Sequence, residues 1–287
     1  MILIIGATGP TGRAATKELL ARGEQVRVLT RDERKAAAIP ELGGAEVVAG
    51  DPSRPEEVRH VFDGVDKLYL VPPTAPEWNK IQSALIGLAS DADLSHVVRI
   101  SAIGAGPDEP SMSLRYHWQG EQDLEASGVP YTHIRANSFN QNMLYAVTTI
   151  KSESKFYDCV GETRFAKVDT RDVGEVVAQV LTEDTHVGQT YELTGPEAIT
   201  FDEMAERLSS AVGRKIQYVD MPAREYEEAL VAAGLPDWWA KELADIYGRG
   251  FYREGGGSDV TGTLGAMLGR PPRSFDDFAR DYAHEFR

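Results

Sequence analysis

The chain has 287 residues, of which 42% are hydrophobic and 26% are charged, and its formal net charge at pH 7 is −15. This length allows one large α/β domain or a domain with a smaller lobe attached, and the acidic balance disfavours a nucleic-acid partner because phosphate binding needs a basic face. A single cysteine, Cys159, excludes an internal disulfide, and no apolar run reaches the roughly 18 to 20 residues of a membrane span. We therefore expect a cytoplasmic protein with no membrane partner and no metal.

Short apolar runs alternate with helical patterns through the first two-thirds of the chain. The predicted strands are Ile2–Ile5, Val26–Thr30, Glu46–Ala49, Lys67–Val71, Val97–Ser101, Tyr131–Ile134 and Thr190–Leu193. The predicted crossover helices are Thr11–Arg22, Arg54–Phe62, Trp78–Ala89 and Leu114–Ser127. A capping box of Ser53 and Glu56 favours the second of these helices. Repeated strand–helix–strand units indicate a parallel sheet with helices on both faces.

The pattern becomes helical after about residue 196. Thr200 and Glu203 form a capping box, and a last amphipathic helix is predicted over Phe275–Phe286. We interpret Gly255–Gly257 as a mobile surface loop, because no strand precedes it and no Lys-Ser or Lys-Thr pair follows it.

These elements predict an α/β fold, a Rossmann doubly wound parallel sheet with a small, mainly helical C-terminal lobe. Residues 1–196 form the expected NAD(P)-binding Rossmann domain, and residues 197–287 form the expected substrate lobe. We expect residues 138–165 to contribute to the substrate cleft.

The first turn of the chain, GATGPTG, places Gly6, Gly9 and Gly12 between a strand and a helix. Glycine lets the backbone approach a pyrophosphate closely, and the unpaired N–H groups of a helix start attract the anion. Pro10 suits the first helical position, where its missing N–H would have no partner. The sequence therefore predicts a dinucleotide site.

The residues at the end of the second strand indicate which of the two nicotinamide cofactors the site prefers. A carboxylate there would hold the ribose hydroxyl of NAD, whereas the 2′-phosphate of NADP needs positive charge. Arg31 and Lys35 favour NADP(H), and Asp32, next to Arg31, leaves NAD(H) open.

Further candidate cofactor residues lie where later strands end. Asp51 contacts the cofactor or caps the helix that follows it, and the stiff Pro72 shapes the wall of the site or simply ends its strand. The full set of candidate cofactor-binding residues is Gly6, Thr8, Gly9, Pro10, Thr11, Gly12, Arg31, Lys35, Asp51, Pro52, Val71, Pro72, Ser101 and Asn137.

Several stretches along the chain carry a resemblance to a known family. They are GATGPTG, LTRD, GD after the third strand, ISAIGA, HWQGEQDLEASGVPYTHIRANSFNQN, VDTRDVGEVVAQVLTED, YELTGPEAIT and GRPPRSFDDFA. As a set they resemble the NmrA-like branch of the atypical short-chain dehydrogenases/reductases, over nearly the whole chain. The resemblance implies a Rossmann domain with a small C-terminal lobe, NADP(H) as cofactor, and similarity to quinone and triphenylmethane reductases.

The chain departs from ordinary short-chain dehydrogenases at their catalytic pair. Those enzymes use a tyrosine and a lysine four residues later, because the lysine lowers the pKa of the phenol that exchanges a proton with the carbonyl. Tyr116 stands at about the right place, but Gly120 follows four residues on, and none of the 11 tyrosines has lysine at that spacing.

The candidate catalytic residues are Tyr116, His117 and Ser101. His117 and Glu121 match the H-x-x-x-E pattern of the NmrA-like branch, and Arg135 matches its strand-end arginine. His117 either acts in catalysis or pairs with Glu121 or a backbone carbonyl. We expect Ser101 to bond backbone or the nicotinamide amide.

Two classes of function fit this sequence. The first is an NADPH-dependent reductase that transfers hydride to a small conjugated electrophile, such as a quinone, an iminium ion or a dye, without a Tyr–Lys relay. The second is a non-catalytic NADP(H) sensor of the NmrA type, and a carbonyl reductase that uses Tyr116 or His117 as proton donor is a further alternative. The chain is expected to be a monomer or a homodimer. The candidate substrate-facing residues are Pro73, Phe139, Asn142, Tyr145 and Trp238.

Overall fold

The structure, a computed structural model, describes residues 1–287 and divides them into two units. Unit 1 comprises residues 1–105, 116–136 and 170–192, and unit 2 comprises residues 106–115, 137–169 and 193–287. This division differs from the expected one at residue 196, because the chain leaves unit 1 after residue 136 and returns to it at residue 170. A boundary drawn along the sequence does not capture such a return.

Seven strands form the main sheet. They are β1 Ile2–Ile5, β2 Val26–Thr30, β3 Glu46–Ala49, β4 Lys67–Leu70, β5 His96–Ala102, β6 Tyr131–Ala136 and β8 Gln189–Leu193. Their order is β3-β2-β1-β4-β5-β6-β8, and the pairs from β3 through β6 are parallel. The order confirms the predicted doubly wound fold, and it reverses direction on either side of β1. Ligands of such sheets bind at this switch point, beyond the carboxyl ends of the strands.

The central strand β1 is apolar at every position because both faces of the sheet are covered. Leu3 and Ile4 are completely enclosed, and Leu3 belongs to a core that also contains Leu68 and Leu85. Burying a side chain of this size contributes about 1.5–3 kcal/mol. Burial on both faces explains why the predicted bounds of β1 match the structure.

Eleven α-helices complete the two units. They are α1 Pro10–Ala21, α2 Glu33–Ala37, α3 Trp78–Asp91, α4 Met112–Ala126, α5 Val147–Glu153, α6 Thr170–Thr182, α7 Phe201–Val212, α8 Ala223–Ala232, α9 Asp237–Ala244, α10 Thr263–Leu268 and α11 Phe275–Phe286. Shorter 3-10 segments occupy Pro40–Leu42, Pro55–Glu57, Arg59–Phe62, Asn140–Ala146 and Asp184–His186, and a π-helical turn occupies Asp245–Arg249. None of the helices combines the length and the apolar character that crossing a bilayer requires.

The predicted helix over Arg54–Phe62 is wrong. Two 3-10 segments stand there, separated at Val58, whose φ of −107° and ψ of 10° are not helical. Ser53 does not cap a helix, since its own N–H donates to Asp51 Oδ1 at 3.0 Å. The carboxylate of Asp51 therefore organises this turn, and the capping box expected for Ser53 does not form.

Unit 2 is mainly helical, as predicted, but it also contains a small sheet that the sequence did not indicate. Strand β7, Lys155–Asp158, pairs in parallel with β9, Gln217–Asp220. The capping box of Thr200 and Glu203 at the start of α7 is confirmed.

The triple glycine is packed, contrary to the expectation of a mobile surface loop. Gly257 is buried, and its carbonyl accepts hydrogen bonds from the Ala166 N–H and the Asn137 amide at 2.8 and 2.9 Å. A Cβ on Gly257 would lie 2.7 Å from the Tyr252 ring, so only glycine fits there.

A buried carboxylate fixes the start of α4 within unit 2. Glu242 of α9 is 5% exposed and accepts from the Ser111 hydroxyl at 2.5 Å. It also accepts from the backbone N–H groups of Met112 and Ser113 at 3.0 and 2.9 Å. The first N–H groups of a helix have no partner within the helix, and a negative charge beside them is favourable. Glu242 thus caps a helix that begins about 130 residues earlier in the chain.

Candidate functional site

The glycine loop after β1 is shaped for close approach of backbone to a ligand. Gly6 has a φ of +87°, and a Cβ there would lie 2.6 Å from Val71 Cβ. A Cβ on Gly12 would lie 2.2 Å from the Gly6 carbonyl oxygen, far inside contact distance. The loop therefore requires glycine at both positions, for conformation at the first and for space at the second.

The start of α1 has free donors. Gly9 precedes the helix and provides no side-chain cap, and Pro10 occupies the first helical position. The next two N–H groups, of Thr11 and Gly12, have no acceptor within the helix. Thr11 is 4% exposed, and the Thr8 carbonyl accepts from Arg13 Nε at 2.8 Å. This arrangement fits the pyrophosphate of a dinucleotide.

An open depression lies beside the ends of β2 and β3. It is lined by Arg31, Asp32, Glu33, Arg34 and Ala49. Asp32 Oδ1 caps α2, because it accepts from the N–H groups of Arg34 and Lys35 at 3.0 and 3.1 Å. Arg31 and Lys35 are exposed. Arg34, which the sequence analysis did not single out, adds a second guanidinium three residues after the first. The residues present fit a ribose that carries a 2′-phosphate better than one that carries a hydroxyl.

Asp51 serves the turn that follows β3. The hydrogen bonds from Ser53, and the nearby charges of Arg31 and Arg54, lower the pKa of its carboxyl despite partial burial. Asp51 does not cap a following helix, because the turn Asp51–Ser53 and a 3-10 segment stand there instead, and its contact with the cofactor stays a prediction. Pro52, Val71 and Pro72 are all half-buried, and the Val71 N–H donates to the Ile5 carbonyl at 3.0 Å beside the glycine loop.

The space that the missing lysine would need is filled. A Cβ on Gly120 would lie 2.4 Å from Gln82 Oε1 and 2.5 Å from Arg99 Nη2. Arg99 is fully buried on β5, and its guanidinium donates to Gln82 Oε1 at 2.6 Å. Burial lowers the pKa of Arg99 to about 10, against the raising effect of nearby carboxylates. A cation thus lies opposite Gly120, but it comes from β5 rather than from α4.

Tyr116 and His117 pack against one aromatic ring. The Trp78 ring meets that of Tyr116 at 5.3 Å and that of His117 at 4.9 Å, both edge to face. His117 does not pair with Glu121 as weighed above, since its Nδ1 lies 3.5 Å from Arg99 Nη2. Burial and then the charge of Arg99 hold the pKa of His117 well below 6.5. The imidazole is therefore neutral at pH 7, which disfavours it as a general acid.

Ser101 belongs to a buried polar network. Its hydroxyl donates to Glu121 Oε1 at 2.6 Å, and Arg135 donates to both oxygens of Glu121 at 2.9 and 2.6 Å. Burial acts to raise the pKa of Glu121, but the bonds from Arg135 and Ser101 outweigh it and the pKa is lowered. Ser101 thus bonds a carboxylate, where backbone or the nicotinamide amide was expected.

Asn137 is buried in a hydrogen-bonded position within unit 2, and its contact with the cofactor stays a prediction. It is 1% exposed, and its Nδ2 donates to the carbonyls of Ala166 and Gly257 at 3.0 and 2.9 Å. Its Oδ1 accepts from the Ser138 N–H at 2.7 Å. Both ends of the amide are therefore engaged within unit 2.

The candidate substrate-facing residues fall in both units. Pro73 is in unit 1, whereas Phe139, Asn142, Tyr145 and Trp238 are in unit 2. Tyr145 is 85% exposed, an unusual exposure for so large a ring, and Phe139 immediately precedes the same 3-10 segment. Trp238 is half-buried against Trp239 at 5.4 Å. The structure contains no group of three or more His, Cys, Asp or Glu placed to hold a metal ion.

Buried histidines make the fold sensitive to acid. Burial lowers the pKa of His96 and His133 to about 4, and His117 is lowered as well, whereas burial raises the pKa of Asp158 to about 6. Between pH 6.5 and 4 the unfolded chain protonates histidines that the folded chain keeps neutral, while Asp158 acts in the opposite direction. The unfolded state then binds about two more protons, so the free energy of unfolding should fall by about 2–3 kcal/mol per pH unit on acidification.

Urea unfolding at pH 7, 6 and 5 measures this slope. His133→Leu should reduce it by about one proton. His284→Gln, which changes an exposed histidine, should leave it unaltered. A slope of zero in the unmodified protein would contradict the prediction.

Comparisons with known proteins agree with this geometry. A family profile described as NAD(P)H-binding matches residues 6–184. The NAD(P)H azoreductase of Xenophilus azovorans is 32% identical over 100% of this chain and 99% of that protein. The (4-alkanoyl-5-oxo-2,5-dihydrofuran-3-yl)methyl phosphate reductase of Streptomyces griseus is 31% identical over 100% of this chain and 99% of its own length.

A solved structure is similar over its full length. The NADPH-dependent quinone oxidoreductase of Escherichia coli, in its complex with NADPH, is 26% identical and superposes with a TM-score of 0.86 over 100% of both chains. These matches confirm the family that the sequence motifs indicated.

Proposed function

The chain belongs to the NAD(P)H-binding family. On that premise, we propose that it transfers hydride from NADPH to a small conjugated electrophile without the Tyr–Lys relay of ordinary short-chain dehydrogenases, in which the lysine follows the tyrosine by four residues. The relatives show an NAD(P)H-dependent oxidoreductase of the quinone and azo reductase type. The finer proposal adds the chemical class of the acceptor and the source of the proton that it takes up.

One observation carries the finer proposal, the packing around Gly120. Gln82 and Arg99 fill the space in which a lysine at this position would begin, so no side chain can reach from it towards Tyr116. Tyr116 instead packs against Trp78, and its carbonyl accepts from Gln82 at 2.7 Å. A mechanism that needs a strongly acidified phenol at Tyr116 therefore lacks its activating partner.

Conjugated acceptors suit such a protein. When bound, NADPH supplies a hydride, and an azo compound, a quinone or an unsaturated lactone spreads the incoming negative charge over its conjugated atoms. Those are the compound classes in the names of the three relatives described above. The protein then has mainly to orient the acceptor, and we assign that role to Pro73, Phe139, Asn142, Tyr145 and Trp238.

A turnover assay tests the proposal. The purified protein is incubated with NADPH and a panel of quinones, an azo dye, a triarylmethane dye, imines and simple ketones, and absorbance is followed near 340 nm. Turnover of conjugated acceptors, with little on ketones, is the expected result. Turnover of ketones alone would instead identify a carbonyl reductase, and tight NADPH binding without turnover on any acceptor would identify a sensor.

The cofactor preference has its own test. Arg31→Ala should raise the KM for NADPH roughly 10- to 100-fold, because a charged hydrogen bond to phosphate contributes about 1.5–3 kcal/mol. The KM for NADH should change little, since the 2′-hydroxyl does not need a guanidinium. Equal effects on the two cofactors would contradict the assignment of a 2′-phosphate site to Arg31. Arg59→Ala is the matched control, because that arginine is exposed and pairs with Asp91 at 3.0 Å.

A further inference from the structure

Three polar side chains of unit 2 form a hydrogen-bonded chain that the cofactor site does not use. Lys167 Nζ donates to Ser138 Oγ at 3.0 Å, and Ser138 Oγ lies 3.1 Å from the Tyr247 hydroxyl. Asn142 Nδ2 also approaches Ser138 Oγ, at 3.4 Å. We refer to Lys167, Ser138 and Tyr247 as the lysine–serine–tyrosine chain.

The lysine–serine–tyrosine chain has a buried end and an accessible end. Lys167 is 7% exposed and Ser138 is 6% exposed, whereas Tyr247 is half-buried. Lys167 forms no ion pair, and its ammonium faces the rings of Phe165 and Phe201 at 5.7 and 5.2 Å. A buried cation without a carboxylate partner is costly, and such groups concentrate at functional sites.

The ionisation states of the lysine–serine–tyrosine chain suit proton donation near neutral pH. Burial lowers the pKa of Lys167 to about 8, against the raising effect of Asp158. Burial raises the pKa of Tyr247 to about 12, while the bond to Ser138 acts to lower it. At pH 7 the phenol keeps its proton and the ammonium is poised to release one. The titratable neighbours of the lysine–serine–tyrosine chain are Asp158, Cys159, Tyr226 and Tyr252.

The backbone around the lysine–serine–tyrosine chain has features typical of functional sites. Ser138 lies in unit 2, four residues before Asn142, one of the residues to which we assign orientation of the acceptor. The Val168 N–H donates to the Ser138 carbonyl at 3.0 Å, which fixes Ser138 beside Lys167. Tyr247 lies in the π-helical turn Asp245–Arg249, and such wide turns are rare and occur often at functional sites.

We propose that Tyr247 protonates the reduced acceptor, and that Ser138 and Lys167 resupply it with the proton. This inference rests on the proposed function, and it provides for acceptors such as quinones that need a proton on oxygen as well as a hydride. Within the lysine–serine–tyrosine chain, Tyr247 is the catalytic residue, whereas Ser138 and Lys167 are positioning residues that act through it.

The step balances as follows for a quinone. Hydride brings two electrons to the acceptor, and the acceptor oxygen that gains the negative charge takes the proton of the Tyr247 hydroxyl. The Tyr247 oxygen takes the proton of Ser138, and the Ser138 oxygen takes one from the Lys167 ammonium. Lys167 becomes a neutral amine, and it regains a proton from water through the same groups once the product has left.

Two acceptors separate this role from a structural one. A naphthoquinone needs a proton on oxygen, but a cationic triarylmethane dye takes hydride alone and becomes neutral. Tyr247→Phe and Lys167→Met should lower kcat for the quinone about 100-fold, the usual worth of a general acid, and change kcat for the dye less than twofold. The quinone rate of the unmodified protein should fall above about pH 8, and Lys167→Met should abolish that break.

The titration of Lys167 is measured without turnover. Nuclear magnetic resonance of the labelled lysine side chains should show one Nζ that titrates near pH 8 in the protein alone, and Ser138→Ala should shift it. Tyr157→Phe is the control for loss of a phenol in unit 2, since its hydroxyl is exposed and donates to Glu153 Oε2 at 2.6 Å, outside the lysine–serine–tyrosine chain. It should leave both acceptors unaffected.

Some results would contradict the proposed proton transfer, and others would contradict the proposed function. Equal losses on the quinone and the dye, or a loss on neither, would overturn the proposed proton transfer. If the unmodified protein reduces neither acceptor although it binds NADPH, the proposed function fails, whatever the variants do.

Discussion

Gly12→Ala should abolish useful binding of NADPH. The new methyl group would lie 2.2 Å from the Gly6 carbonyl oxygen and 2.7 Å from Ala7 Cα, both of which are backbone atoms that no rotamer change can move. The loop must shift, and the N–H groups at the start of α1 then lose their alignment with the pyrophosphate. Since each charged hydrogen bond is worth about 1.5–3 kcal/mol, the Kd should rise roughly 100-fold or more.

A matched glycine separates this effect from the general cost of adding a methyl group. Gly87 is exposed within α3, and a Cβ there would meet nothing within 4 Å. Gly87→Ala should therefore stabilise the protein by about 0.5–1 kcal/mol, because alanine is the better helix former, and leave the Kd unchanged. Fluorescence titration with NADPH and thermal unfolding measure the two quantities. Normal affinity in Gly12→Ala would contradict the placement of the pyrophosphate.

Glu242→Ala should cause the largest loss of stability among single changes outside the cofactor site. It removes the acceptor of the Ser111 hydroxyl and of two backbone N–H groups at the start of α4. Each buried donor without a partner costs about 1–3 kcal/mol, so the free energy of unfolding should drop by roughly 3–5 kcal/mol.

Two controls accompany this variant. Glu242→Gln keeps one acceptor oxygen and should lose less than half as much as the alanine variant. Glu228→Ala removes an exposed glutamate that pairs with Arg224, and it should change stability by less than about 0.5 kcal/mol. Denaturant unfolding compares the three, and a small effect of Glu242→Ala would show that water replaces the cap.

The sequence predicted the main sheet because burial leaves a clear pattern there. β1, β2 and β3 have the expected bounds, and the continuous apolar run of β1 is typical of a strand covered on both faces. The strands β7 and β9 escaped prediction because each has four residues with polar ends, which give neither an apolar run nor an alternation. Their pairing joins segments about 60 residues apart, which no local pattern records.

The site was predictable in its backbone and less so in its side chains. The glycine loop and Arg31 stand where expected, because both follow directly from strand ends. Partners such as Gln82 of Arg99 come from a distant helix and could be identified only in three dimensions. A signal for Arg99 and Lys167 did exist, since a lone charge within the apolar stretches VVRIS and FAKV is unusual for a solvated side chain.

The contact between Arg99 and His117 also fixes a proton. A guanidinium has only donors, so His117 Nδ1, 3.5 Å from Arg99 Nη2, can only be the acceptor. The hydrogen of the neutral ring is therefore on Nε2. His117 therefore presents a single tautomer, whose Nε2 can only donate a hydrogen bond.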